Sequence, residues 1–181
     1  MEDVVTKTRR WLEDAVIGLN LCPFARAVYV RDEVRIAVDE ARGFEDAIRR
    51  ALDEADRLLQ AAPDDIATTL VVFPHALSDF DEFLDAVDAV DELIERAGAA
   101  GILQLAHFHP QYQFEGTEAD DLENFTNRAP YPTLHLLREA QISEGVASHP
   151  NPEAIPERNI EVLEELGELE VHKMWDRWST D

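Results

Sequence analysis

Between residues 43 and 108, two long amphipathic stretches alternate with two short apolar runs, and few folds accommodate that order. From 43 to 62, Phe44, Ala47, Ile48, Ala51, Leu52, Ala55, Leu58 and Leu59 recur at spacings of three and four, which places them on one helix face. Pro63 and the aspartates after it break the pattern. Thr68 to Phe73 is a short apolar run with β-branched residues, as expected of a strand covered on both faces. Ser78 can cap the next helix, which reaches about Ala97 with Phe80, Phe83, Leu84, Val87, Val90 and Ile94 inward. Ile102 to Phe108 is the following strand. Strands alternating with crossover helices argue for an α/β domain with parallel pairing.

The flanking segments fit around that centre. Residues 3 to 19 read as a helix with Asp3 as N-cap, ending near Asn20 because Pro23 cannot continue it. Ala27 to Val38 reads as a hairpin, with Arg31-Asp32-Glu33 as its turn. From His109 to Tyr131 neither a helical nor a strand period is sustained, which marks a long functional loop or a misread element. Pro132 then suits the first position of a helix reaching about Ala140, and Asn151-Pro152 opens another through Leu166. The expected fold is a small three-layer α/β domain with a mixed, mostly parallel sheet of about four strands, an N-terminal helix, and C-terminal helices after a long ordered loop. Residues 1–166 are expected to form one domain, and 167–181 a C-terminal tail with no strong period.

Composition excludes several classes of partner. The formal net charge is -23, and of 16 basic residues only Lys7 and Lys173 are lysine. Such a chain repels nucleic acid and anionic membranes, and its acidic surface would suit a high-salt cytoplasm. The single cysteine, Cys22, cannot form an intrachain disulfide and fits a reducing compartment. No run is long and apolar enough to span a bilayer, and the N-terminus lacks the pattern of a signal peptide, so a cytoplasmic location is expected. The sequence leaves the oligomeric state open.

Ligands of open α/β sheets bind beyond the carboxyl ends of the parallel strands, where His75 and the His107-Phe108-His109 stretch fall. His107 and His109, two apart, would share a strand face and could hold a metal, or could simply bond loop carbonyls. On the expected helix, His135 would be an acid or base near Arg138. Arg128 and Arg138, with Asn124 and Asn127 nearby, could clamp a carboxylate or phosphate, or pin the loop by pairing with its acids. Cys22 is either a buried apolar residue or a nucleophile, and only a hairpin at 27–38 would bring it to the histidine side. Glycine-rich nucleotide loops, nucleophile elbows and His-Glu-x-x-His are absent from the sequence.

The segments Gly18-Leu-Asn-Leu-Cys-Pro-Phe24, Phe108-His-Pro-Gln-Tyr-Gln-Phe114, Glu123-Asn-Phe-Thr-Asn-Arg-Ala-Pro-Tyr-Pro132 and His135-Leu-Leu-Arg-Glu139 resemble the bacterial domain-of-unknown-function family 1415. The resemblance runs from Trp11 to about Gly167 and implies a stand-alone bacterial domain. It carries no activity with it. Its pattern includes Cys22, His109, Tyr112, Asn124, Asn127, Arg128, Tyr131, His135 and Arg138 but not His107, which shifts weight from a His107/His109 metal pair towards His109 with His135 and Cys22.

These readings combine into an enzyme-like small-molecule site. Cys22, His109 and His135 would be catalytic, while Asn124, Asn127, Arg128, Tyr131 and Arg138 would bind an anionic ligand. No cofactor is specified. The alternatives are a metal-binding protein using His75, His109, His135 and Cys22, or a non-catalytic binding or assembly module.

Overall fold

The computed structural model describes residues 3–179. Met1, Glu2, Thr180 and Asp181, the outer ends of the expected domain and tail, lie outside the described residues. In chain order the helices are α1 (Val4–Trp11), α2 (Ala25–Val30), α3 (Phe44–Gln60), α4 (Phe80–Arg96), α5 (Glu139–Ser148), α6 (Ile155–Leu166) and α7 (Glu168–Ser179). The strands are β1 (Val34–Val38), β2 (Thr68–Val72), β3 (Leu103–Phe108) and β4 (Thr133–Arg138). A π-helical segment, Leu12–Ile17, continues α1, and short 3-10 turns occupy Leu122–Asn127 and Pro152–Ala154.

The sheet has four strands in the order β1-β2-β4-β3. It is mixed, as expected, but only β1 and β2 pair in parallel; β4 runs antiparallel to both its neighbours. The expected helix after Pro132 is therefore a strand. Its main chain is paired on both sides, and Leu134 and Leu136, both fully buried, alternate with His135. β1, β2 and β3 still point the same way, so their carboxyl ends gather at one end of the sheet.

Three layers result. On one face α3 supplies Ala47, Ala51, Ala55 and Leu58, and α4 supplies Phe83, Val90 and Ile94, packed on Val71, Leu134 and Leu136. Truncating a buried ring such as Phe83 to alanine would cost about 3–5 kcal/mol. On the other face Trp11, Leu12 and Ala15 join Met174 and Trp178 of α7 over Leu70 and Val72. Residues 168–179, expected to be aperiodic, are thus a helix docked by Val171, Met174 and Trp178. Asp3 caps α1 as expected, whereas α4 is capped by Asp79 one residue after Ser78. The hairpin at 27–38 does not form. Ala25–Val30 is a short helix with no buried residue, and the Arg31–Glu33 turn leads from it into β1.

No helix among the described residues is long and apolar enough to cross a membrane.

Candidate functional site

The histidines part company across the sheet. His135 pairs with Leu70 in the ladder and faces the α1 and α7 side, where its Nε2 lies 2.7 Å from the Thr68 hydroxyl. Thr68 spends its own proton on the Leu136 carbonyl, so the imidazole donates from Nε2. Burial lowers the His135 pKa to about 4, which keeps the ring neutral.

His109 lies on the opposite side, its ring 5.0 Å from Phe83 and 5.2 Å from Phe80. The Gln111 amide donates to its Nδ1 at 3.0 Å, and Nε2 therefore donates to the Leu77 carbonyl at 3.0 Å. Leu77 has φ 59, a left-handed conformation that is costly for a bulky side chain, and His109 helps to hold it. Both nitrogens are occupied and burial lowers the pKa, so the ring is a buried brace for the 74–79 turn. His107 also packs on the α4 side, its ring centroid 6.1 Å from Phe83, as the spacing of two requires. His75 is exposed, 3.4 Å from the Glu40 carboxylate.

The expected anion clamp is also spent on the protein. Arg138 donates to the carbonyls of Leu58 and Ala61, closing the carboxyl end of α3, and to that of Ile66 just before β2. Arg128 donates to the carbonyls of Tyr112 and Ala119 and lies 4.1 Å over the Phe125 ring. Among the described residues neither makes an ion pair with Glu123, Glu139 or Asp121, the pinning partners foreseen for them. Asn124 is fully buried; its Oδ1 accepts from the Phe114 amide and the Thr117 hydroxyl, and its Nδ2 donates to the Glu118 and Ala119 carbonyls. Tyr131 packs among Trp11, Leu12 and Ala129. These residues satisfy a backbone that has no ladder of its own.

Cys22 has different company. It lines a cleft of about 640 Å³ with Val16, Leu21, Phe108, Phe114, Glu123, Asn127, Asn159 and Ile160, among others. Phe108 ends β3, so Cys22 does sit at the carboxyl end of that strand, delivered by the turn before α2 and not by a hairpin. His109 and His135 do not line the cleft, and no Cys–His pair forms there. Burial pushes the Cys22 thiol above its ordinary pKa, so it is protonated near neutral pH.

Three chain segments build the cleft. The π-helical Leu12–Ile17 supplies Val16, whose carbonyl accepts the Cys22 amide at 3.3 Å. Asn20 follows in a left-handed conformation, φ 54. The loop supplies Phe114 to Asn127, with Asn127 fastened to the His107 carbonyl at 3.3 Å. α6 supplies Ile155, Asn159 and Ile160, and buried Asn159 donates to the Leu21 carbonyl at 2.7 Å. π-helical turns and left-handed non-glycine residues recur at functional sites because each costs energy that the surroundings must offset.

Glu123 and Glu115 line the cleft while no lysine or arginine does. Glu123 has no side-chain hydrogen bond or ion pair among the described residues. The charged groups on the lining are therefore acceptors. Of the proposed catalytic and ligand-binding residues, only Cys22 and Asn127 line the cleft, joined there by Phe108, Phe114 and Glu123 of the family motifs. Ile160 was expected only as a packing residue of its helix, and Asn159 carried no expectation, although it interrupts the Ile155–Leu163 apolar stripe at a spacing of four, a detectable signal. The proposed ligands His75, His109, His135 and Cys22 are not gathered, and no group of three or more His, Cys, Asp or Glu that could hold a metal occurs among the described residues.

No curated protein and no solved structure is similar enough to the chain to match it. A family described as "Protein of unknown function (DUF1415)" matches residues 3–173, nearly all of the sequence, and the chain therefore belongs to that family.

Proposed function

We propose that this protein binds a small amphipathic molecule in the cleft beside Cys22. The apolar body would lie against Val16, Phe108, Phe114 and Ile160, and a donor or cationic group would meet Glu123. The observation that carries this reading is the cleft itself: about 640 Å³, mostly apolar, with a few convergent polar groups. Small-molecule sites typically enclose about 300–1,000 Å³ of that character. The guest of this cleft is a donor and not the anion expected from Arg128 and Arg138, because both guanidiniums are committed to backbone carbonyls. Any chemistry on the guest would use the protonated thiol of Cys22, with Glu123 as the group available to take a proton.

Two measurements test the proposal together. Small primary amines and neutral amphiphiles are titrated into labelled protein by amide NMR, and Cys22 alkylation by iodoacetamide is followed in parallel. A true guest shifts the signals of residues 16–22, 123–127 and 155–160 and protects Cys22, and Ile160→Trp, which fills the cleft, removes both effects. If no compound perturbs those signals, or if the filled variant binds equally well, the proposal fails.

A further inference from the structure

On the other side of the Asn20–Pro23 turn lies a second, smaller depression of about 200 Å³, lined by Asn20, Pro23, His149, Asn151, Ala154, Ile155 and Arg158. It shares only Ile155 with the first cleft, and its chemistry is opposite. In a chain of net charge -23, no carboxylate lines it. The acids nearest in sequence, Glu153 and Glu157, are exposed and lie outside the lining.

From these residues we infer an oxyanion site, for a carboxylate or phosphate group, centred on Arg158. The guanidinium has no carboxylate partner among the described residues. Its Nη1 donates to the carbonyls of Leu19 at 3.1 Å and Asn20 at 2.7 Å, and lies 3.2 Å from the Asn159 Oδ1. Those bonds fix the plane of the group on one edge and leave the Nε and Nη2 edge without a protein acceptor. That edge is the fork that grips two coplanar oxygens.

The surrounding groups are donors. The Asn151 amide donates to His149 Nδ1 at 3.2 Å, so the ring proton sits on Nε2, and Phe24 packs edge-on against the ring at 6.2 Å. The side-chain amides of Asn20 and Asn151 make no hydrogen bond among the described residues, and both line the depression. Ala154, which ends the Pro152–Ala154 turn, and Ile155, the first residue of α6, complete the lining. Asn20, Pro23 and Phe24 lie in the Gly18–Phe24 motif, but nothing in the sequence links that motif to His149, Asn151 and Arg158, more than a hundred residues away.

The test is an amide NMR titration of the whole chain with sodium acetate and, separately, inorganic phosphate, at constant ionic strength. Saturable shifts confined to Asn20, Asn151 and Arg158 are expected, and the arm that saturates identifies a carboxylate or a phosphate preference. Losing a charge-assisted fork should weaken binding roughly tenfold or more in Arg158→Gln. Because Arg158 also holds the Leu19 and Asn20 carbonyls, Asn151→Asp is the second variant. It sets a negative charge in the depression without removing any side-chain bond, and should abolish binding with the melting temperature unlowered. Neither anion saturating, shifts centred on the Cys22 cleft, or unchanged affinity in Asn151→Asp would each overturn the inference.

Discussion

His135, which looked like a catalytic base, yields a stability prediction with a definite sign. Its pKa falls from 6.5 to about 4 because the ring is buried against Thr68 and Phe108. In the unfolded chain the imidazole titrates near its ordinary value, so as pH falls the unfolded state takes up the proton first. The contribution is therefore complete above about pH 6.5, is lost as pH falls from there to about 4, and is flat below. At about 1.4 kcal/mol per pKa unit the whole loss is about 3 kcal/mol, of which about 2 kcal/mol is gone by pH 5. These are upper bounds, since the ring retains some access to solvent. The perturbation is His135→Gln, which keeps a donor for Thr68 but cannot titrate. Urea unfolding of both proteins near pH 7.5 and pH 5 gives four free energies, and the difference of differences cancels the carboxylates common to both. The wild type should lose about 2 kcal/mol more than the variant over that interval. Equal losses, or an NMR titration that places His135 near 6.5, would refute the reasoning.

Three further outcomes follow from the same geometry. Arg138→Ala strips the donors from the Leu58 and Ala61 carbonyls at the end of α3 and from the Ile66 carbonyl before β2, and should cost about 2–3 kcal/mol in denaturant unfolding; Arg138→Lys should recover less than half, lacking the fork. In Gly18→Ala the added Cβ would overlap the Asp14 and Glu13 carbonyls at the end of the π-helical segment, costing roughly 1–3 kcal/mol by thermal unfolding and speeding Cys22 alkylation as Val16 shifts. In the wild type, iodoacetamide labelling of Cys22 should be slow near neutral pH and rise only above the pH at which a free thiol ionises, because burial holds the thiol protonated.

What could be read from the sequence depended on length and period. α3 and α4 each offer 17 residues of one consistent stripe, and β2 is β-branched or apolar at every position, so tertiary context had nothing to overrule. Thr133–Arg138 is six residues long, too short for its spacing to separate a helix from a strand. It became a strand because β2 and β3 offered main-chain partners on both sides. Ala25–Val30 buries no residue, so neither periodicity was imposed on it, and its β-branched residues misled. The site suffered a related error. Density of polar residues marks the loop as unusual, but which of them bond the loop itself depends on contacts that spacing along the chain does not encode.

That last point bears on how function in this family should be sought. A loop of two dozen residues without a ladder must satisfy its backbone with side chains or water. Here Asn124 bonds four groups of the loop, Arg128 bonds two carbonyls, and His109 bonds an amide on one side and a carbonyl on the other. Asn124 and Arg128, which looked most like ligand binders, are thus residues whose loss would disorder the loop that walls the cleft. Replacing any of them would abolish an activity housed in the cleft whether or not the residue touched a substrate. Glu123 and Ile160 are different: they line the cleft, and Glu123 braces nothing among the described residues. A function lost in Glu123→Gln with the melting temperature unchanged would be evidence about the site, and the same loss in His109→Ala would be evidence only about the fold.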